Sequence, residues 1–216
     1  MRTDSTIQRD VLAELEWEPS VTHEHIGVAV TNGIVTLSGL VPNYVEKLAA
    51  EEAVRRVAGV RAVAEDIKVR WPGDPKTSDT EIAERICRMF SWDAVIPEKK
   101  IKVRVEGSRV TLTGEVDHRF QADAARKAAG RINGVISVAN LLTVTEVPAV
   151  DDVKDRIEQA FKRNAILDAA TISVIADGGT ITLGGRVHAW REREMAERAA
   201  WAAPGVTAVR DQIIIA

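Results

Sequence analysis

The residues best suited to chemistry in this sequence are few and scattered. The His-Glu-His run at residues 23–25 resembles a fragment of a metal site, but two histidines without a third ligand at zinc spacing are weak evidence for one. His118 and His188 do not lie beside an evident nucleophile, and Cys87 is the single cysteine. We therefore predict no metal, no cofactor and no catalytic site, and we expect a protein that acts by binding.

Composition narrows the classes of partner. The formal net charge of −3 gives no general attraction for nucleic acid, so we expect no nucleic-acid partner. We also expect no transmembrane segment, because no stretch approaches the roughly 18 consecutive apolar residues of a membrane-spanning helix. The first six residues lack the apolar core of a secretory signal peptide. The sequence therefore predicts a cytoplasmic protein, and a periplasmic one only if a leader has been removed.

Three copies of one pattern organise the chain. In each copy an aliphatic and threonine-containing block closes on a glycine, and a second glycine follows further along the chain. The glycine pairs are Gly39 and Gly59, Gly114 and Gly134, and Gly185 and Gly205. The two glycines keep the same separation in all three pairs, so each copy has one internal length. We predict unit 1 at residues 1–70, unit 2 at 78–144 and unit 3 at 150–216, with linkers at 71–77 and 145–149.

Each copy predicts the same five elements. Apolar residues four apart, as at Ile7, Val11 and Leu15, indicate an amphipathic helix. Two alternating runs around a Gly-containing turn predict a β-hairpin. A helix with Ala49 and Ala53 on its inner face and a closing aliphatic strand complete the unit. The predicted fold class is α+β, with three tandem α-β-β-α-β units, each a three-stranded mixed sheet with two helices on one face.

The repeated blocks resemble the BON family, the bacterial OsmY and nodulation domain. Its pattern is a Val-Thr-Leu-x-Gly-x-Val strand, an alanine-rich helix, then Gly-Val-x-x-Val and a last aliphatic strand. The matching residues are 35–41 with 59–63, 110–116 with 134–138, and 181–187 with 205–209, the third copy having Ile181 in place of valine. The resemblance implies glycines that serve backbone geometry, and a non-enzymatic protein of osmotic and envelope stress that binds phospholipid surfaces.

The middle unit carries a predicted basic strip. Residues 78–144 are the only unit with net positive charge, with 11 Lys and Arg against 9 Asp and Glu. If Ile101, Val103 and Val105 face the core, alternation places their neighbours on the open face of the sheet. The basic strip consists of Lys100, Lys102, Arg104 and Arg109. Such residues attract anionic phospholipid at roughly 1 kcal/mol each close to the surface, although a solvated sheet face is the plainer interpretation.

A second predicted surface lies on the last helix. Trp190 and Trp201 lie three helical turns apart, which returns them to within about 20° of each other around a helix. Arg193 and Arg198 flank the two rings, and two glutamates lie between them. We interpret this stripe as a contact for another unit, another subunit or a protein partner, in preference to membrane insertion.

Trp17 and Trp92 occupy equivalent positions at the end of the first helix, and we interpret them as caps of the core. Taken together, the residues predict a stress-associated adaptor that recognises anionic phospholipid surfaces through the basic strip. The alternative is a protein-interaction or chaperone-like scaffold without lipid binding. Packing between units is expected, and a homo-oligomer stays open.

Overall fold

The computed structural model describes residues 2–69, 77–145, 152–164 and 171–215, and it confirms the tandem α+β fold. Unit 1 contains α1 Asp4–Trp17, β1 Ile26–Thr31, β2 Ile34–Val41, α2 Tyr44–Arg55 and β3 Ala62–Val69. Unit 2 contains α3 Asp79–Trp92, β4 Ile101–Glu106, β5 Arg109–Val116, α4 Arg119–Gly130 and β6 Ser137–Val144. Unit 3 contains α5 Val153–Arg163, β7 Ile172–Asp177, β8 Thr180–Val187, α6 Trp190–Trp201 and β9 Ala208–Ile215. Short 3₁₀ turns at His23–His25 and Glu98–Lys100 precede the first strands of units 1 and 2.

The three sheets have the same mixed topology. In unit 1, β1 pairs antiparallel with β2, which pairs parallel with β3, and units 2 and 3 repeat this order. Asn32 and Gly33 both have positive φ, at 53° and 74°, as the tight turn between two antiparallel strands requires. Within the described ranges, each strand pairs only inside its own unit.

An aspartate at the start of the first helix holds the hairpin turn in units 1 and 2. The Asp4 carboxylate accepts the backbone N–H groups of Asn32 and Gly33 at 2.7 and 2.9 Å. Asp79 accepts the equivalent N–H groups of unit 2, both at 2.8 Å. This bond fixes the first helix against the far end of the hairpin. The third copy has Val150 at the equivalent position of the sequence.

Each unit has its own apolar core between its sheet and its two helices. Ile7, Val11 and Leu15 are buried, as their spacing predicts. The prediction for the second helix was confirmed at Ala53, which is fully buried, and wrong at Ala49, which is only partly buried, whereas its neighbour Ala50 is fully buried. The buried face of α2 follows Ala50, Ala53, Val54 and the adjoining Val57, so it is centred about 70° further round the helix than predicted.

The glycine that closes each repeated block lies where two strands approach closely. Gly39, Gly114 and Gly185 have φ of 135°, 131° and 117°. A Cβ atom at these positions would lie only 2.0 to 2.1 Å from a backbone carbonyl oxygen just before the neighbouring strand. Only glycine fits this conformation and this space, which accounts for its recurrence in all three blocks.

Candidate interaction surfaces

The basic strip lies across the outer surface of unit 2. Lys102 and Arg104 on β4 and Arg109 on β5 are exposed on the sheet face opposite the helices, as alternation predicts. Lys102 pairs in register with Thr113, and Arg104 with Thr111. Lys100 is also exposed but belongs to the 3₁₀ turn before β4. The strip therefore begins at one end of the sheet and continues over its open face.

Acidic neighbours neutralise half of the basic strip. The Lys100 ammonium donates to both carboxylate oxygens of Asp117, at 2.7 and 2.8 Å, and this bond lowers the pKa of Asp117. Arg104 forms an ion pair with Glu106 at 2.5 Å. Among the described residues, Lys102 and Arg109 form no ion pair with a carboxylate. The electrostatic attraction of the strip is therefore weaker than four free cations would give.

Trp17 and Trp92 are exposed, so the prediction that they cap the core was wrong. Each has 84% of its surface accessible, although both rings are large and apolar. Each ends the first helix of its unit, two positions after the last buried apolar residue of that helix, Leu15 or Phe90. A step of two positions turns a helix by about 200°. The indole rings therefore point away from the core.

The two exposed tryptophans have different charged residues near them in the sequence. Glu14, Glu16 and Glu18 surround Trp17 in the sequence, and the Glu14 and Glu18 carboxylates both bond to Arg56. Near Trp92 the sequence has two exposed cations, Arg88 one turn earlier in α3 and Lys99 in the following 3₁₀ turn, together with Asp93 and Glu98.

Unit 2 leaves other large apolar side chains exposed. Met89, Val95 and Phe120 are large apolar residues left exposed in unit 2. Phe120 stacks on His118 with ring centroids 5.3 Å apart. We name Trp92, Arg88, Met89, Val95 and Lys99 the aromatic-basic end of unit 2. An apolar ring beside cations is the combination that suits the boundary between water and an anionic bilayer.

Trp190 faces a neighbouring unit. Its ring packs against the apolar cores of both unit 3 and unit 1. The guanidinium groups of Arg55 and Arg193 lie 5.2 and 5.1 Å from its ring centroid. Arg193 also forms a 2.5 Å ion pair with Asp211. The Trp190 ring therefore packs inside the chain, between unit 3 and unit 1.

Trp201 also contacts another unit. The Arg119 guanidinium of unit 2 lies 4.9 Å from the centroid of its ring, and the Trp201 indole N–H donates to Glu197 at 3.4 Å. Arg198 is exposed and pairs with Glu194 at 3.1 Å. The two tryptophans thus meet different neighbours, Trp190 unit 1 and Trp201 unit 2, and they do not form one open stripe.

The described residues include no group of three or more His, Cys, Asp and Glu side chains placed to hold a metal ion. In the same part of the chain, every helix is too short or too polar to cross a bilayer.

Comparison with known proteins identifies the repeated unit. The BON domain matches residues 3–70, 78–146 and 149–216. The chain belongs to the BON domain family. It is 31% identical over 141 residues to osmotically-inducible protein Y of Escherichia coli (strain K12), an alignment that covers 63% of this chain and 70% of that protein. The resemblance seen in the sequence is thereby confirmed.

Two solved structures are also similar to the triple-BON chain, both of CdsD, a structural protein of the type III secretion system of Chlamydia trachomatis. Each is 14% identical, with a TM-score of 0.27. The matches cover 96% and 100% of this chain, and 91% and 100% of the solved chains. A TM-score of 0.27 is too low for a comparison of architecture.

Sequence reasoning missed the exposed tryptophans of BON units 1 and 2, although a signal was present. Ile7, Val11 and Leu15 fix the buried face of α1, and Trp17 lies about 200° from Leu15. The same measurement from Phe90 places Trp92 outside the core of unit 2. The ion pair of Lys100 had no such signal, because Asp117 lies 17 residues from Lys100 in the sequence, whereas Glu106 lies two positions after Arg104 on the same strand face.

Proposed function

We propose that this triple-BON protein is a non-enzymatic protein of the osmotic-stress response that attaches reversibly to anionic phospholipid surfaces through unit 2. We propose the role in osmotic stress because the chain is similar to osmotically-inducible protein Y. The observation that carries the lipid proposal is Trp92, 84% exposed beside cations at the aromatic-basic end of unit 2.

The chemistry of the side chains supports attachment at a bilayer surface. A tryptophan has a large apolar ring and one polar N–H group, so it is favoured where hydrocarbon meets water. Arg88 lies one helical turn before Trp92 on the same helix, and Lys99 follows in the next turn of the chain. Lys102 and Arg109, which pair with no carboxylate in the described ranges, form a separate positive surface on the open face of the sheet. Phosphate headgroups present the complementary charge.

The expected affinity of one such surface is low. Arg88 and Lys99 together contribute about 2 kcal/mol near an anionic surface, and burial of a large apolar side chain adds about 2 kcal/mol. A total of about 4 kcal/mol corresponds to a dissociation constant of about 1 mM. Attachment of this strength is reversible, and it weakens as salt shortens the Debye length from about 10 Å at about 0.1 M to about 3 Å at about 1 M.

Vesicle sedimentation tests the proposal. The full chain is mixed with phosphatidylcholine vesicles, with and without phosphatidylglycerol, at low and high salt. We expect binding only to the anionic vesicles, and its loss at high salt. Trp92→Ala should lower binding about tenfold, because it removes a contribution of about 1.4 kcal/mol or more. Arg88→Glu with Lys99→Glu should abolish binding.

Trp17→Ala is the matched control, because Trp17 is equally exposed at the equivalent position but stands among glutamates. We expect it to bind anionic vesicles like the wild type. Equal losses for Trp17→Ala and Trp92→Ala would contradict the assignment to unit 2. Equal binding to neutral and anionic vesicles would reject an electrostatic attachment altogether.

A second candidate function is a chaperone-like scaffold for proteins. Exposed isoleucines on the open face of the unit 3 sheet favour it, Ile175 on β7 and Ile214 on β9. Light scattering of a heat-denatured test protein distinguishes this function from lipid binding. A scaffold should suppress the scattering, and Ile175→Ser should weaken that effect without changing vesicle sedimentation. No suppression by the wild-type chain would exclude the chaperone-like function.

A further inference from the structure

Contacts between units fall at equivalent positions of the second helices. The first residues of α2, α4 and α6 are Tyr44, Arg119 and Trp190. The last residues of these helices are Arg55, Gly130 and Trp201. Both sets recur along the chain at the same intervals as the repeated glycines. Each contact joins a first residue in one unit to a last residue in another.

The first contact joins unit 1 to unit 2. The Tyr44 ring is 9% exposed and belongs to the apolar core cluster of unit 2. Its Cδ1 atom would be 3.2 Å from a Cβ atom added at Gly130, so the absence of a side chain there allows the ring to approach. Burial raises the pKa of Tyr44, as expected for a phenol placed in an apolar joint.

The second and third contacts use cations over aromatic rings. Arg119 of unit 2 lies over the Trp201 ring of unit 3 at 4.9 Å. Arg55 of unit 1 lies over the Trp190 ring of unit 3 at 5.2 Å, and the same ring packs against the core of unit 1. Unit 1 thus contacts unit 2, unit 2 contacts unit 3, and unit 3 returns to unit 1. Head-to-tail contacts of this kind either close into a ring or propagate into a filament, and here three contacts close a ring.

We infer that the three second helices form a closed ring, and that Trp190 is the latch that holds unit 3 to unit 1. The polypeptide itself connects units 1 and 2, and units 2 and 3, whereas the joint between units 3 and 1 has no linker. The latch is therefore the joint at which the ring opens with least rearrangement. This inference does not depend on lipid binding.

The latch also contains an uncompensated polar group. The indole Nε1 of Trp190 is buried and has no hydrogen-bond partner among the described residues. A buried donor without a partner destabilises the state that buries it. Opening of the ring of helices returns this N–H group to water. Packing of the Trp190 indole therefore stabilises the closed state, whereas its unpaired N–H group favours opening.

Small-angle X-ray scattering on the full chain tests closure. A compact chain of 216 residues has a radius of gyration of about 17 Å, whereas three separate units in an open string give about 20 Å. We expect the compact value for the wild type and an increase of about 3 Å for Trp190→Ala. A compact Trp190→Ala chain, or an already extended wild type, would overturn the inference.

A charge reversal in unit 1 distinguishes opening of the ring from misfolding of unit 3. Arg55→Glu changes a surface residue of unit 1 that also pairs with Glu51 in its own helix. Arg85→Glu is the matched control, because Arg85 makes the same pair with Glu81 and its side chain is 42% exposed against 44% for Arg55. Arg85 lies over neither Trp190 nor Trp201.

The readout is hydrogen exchange of the Trp190 indole N–H, assigned in NMR spectra by its absence in Trp190→Phe. We expect slow exchange in the wild type and in Arg85→Glu, and exchange at least tenfold faster in Arg55→Glu. Circular dichroism should stay the same in all three. Equal protection of the indole in the wild type and Arg55→Glu would show that Arg55 and Trp190 do not form a latch.

Discussion

Replacement of Gly114 by alanine probes the most constrained position of the repeated block. Gly114 has φ of 131°, a region that side-chain-bearing residues rarely adopt, and a Cβ atom there would lie 2.1 Å from the Lys100 carbonyl oxygen. The neighbouring atom is backbone and not the end of a flexible side chain, so the start of β4 must move away. Ile101 is the strand partner of Gly114, and its pairing is therefore disturbed.

The expected loss of stability is large for a domain of this size. The forced backbone conformation costs about 1–3 kcal/mol, and the loss of one or two strand hydrogen bonds adds about 1 kcal/mol each. A total of about 2–5 kcal/mol compares with roughly 3–10 kcal/mol for the whole stability of a unit of about 70 residues. Gly114→Ala should therefore leave unit 2 marginally stable or unfolded.

Urea denaturation followed by circular dichroism measures this effect, with the earliest transition assigned to unit 2. Gly107→Ala is the control in the same hairpin, because Gly107 also has positive φ, at 55°, but a Cβ atom there would meet nothing within 4 Å. Its cost should be about 1–2 kcal/mol, from the backbone conformation alone. If the two variants lose the same stability, the close approach of the strands at Gly114 does not have the role that we assign to it.

Three further predictions concern one core residue and the bonding partners of two carboxylates. Phe161→Ala removes a fully buried ring from unit 3 and should cost about 3–5 kcal/mol in urea, and a loss under about 1 kcal/mol would contradict the assigned core. Lys100→Ala should raise the pKa of Asp117 toward its ordinary value in an NMR titration, since the Lys100 ammonium is the main cause of its lowering. An unchanged titration would show that Lys100 is not the cause. The Ser20 hydroxyl lowers the pKa of Glu18, so the ionised carboxylate stabilises the folded state. Glu18→Gln should therefore be less stable than the wild type above pH 4.5, and the difference should shrink as the pH falls below it; a difference that grows in acid would reverse this reasoning.

Local patterns in the sequence predict the fold of each unit well. The hairpins follow from alternation and from turns such as Asn32-Gly33, where the residue types themselves favour positive φ. The second helix was less well predicted, because α2 is rich in alanine and an alanine-rich sequence has no sharp boundary between its buried and exposed faces. Ala49 and Ala50 are identical in type, and only packing against the sheet distinguishes them.

The surfaces depend on contacts between residues far apart in the chain, which local patterns do not contain. Alternation predicts that Lys102 and Arg104 face outward, but the partner of Lys100 becomes visible only when the strand after it has folded back. Arg55, which lies over the Trp190 ring, belongs to a different unit and is distant from it in the sequence. The sequence alone therefore does not show whether a tryptophan at a helix end is exposed. Here Trp92 is exposed, whereas Trp190 packs against a second unit.

The bond from Asp4 to the turn of the first hairpin, and its counterpart from Asp79, each connect groups that lie 28 residues apart in the sequence. Each connection ties the first turn of a helix to the turn between two strands. Valine has no side-chain oxygen to offer at the matching place in the third copy. Residue 150 cannot form this bond in unit 3, so we expect the hairpin tip of unit 3 to be the first of the three to fray and exchange its amide protons with solvent.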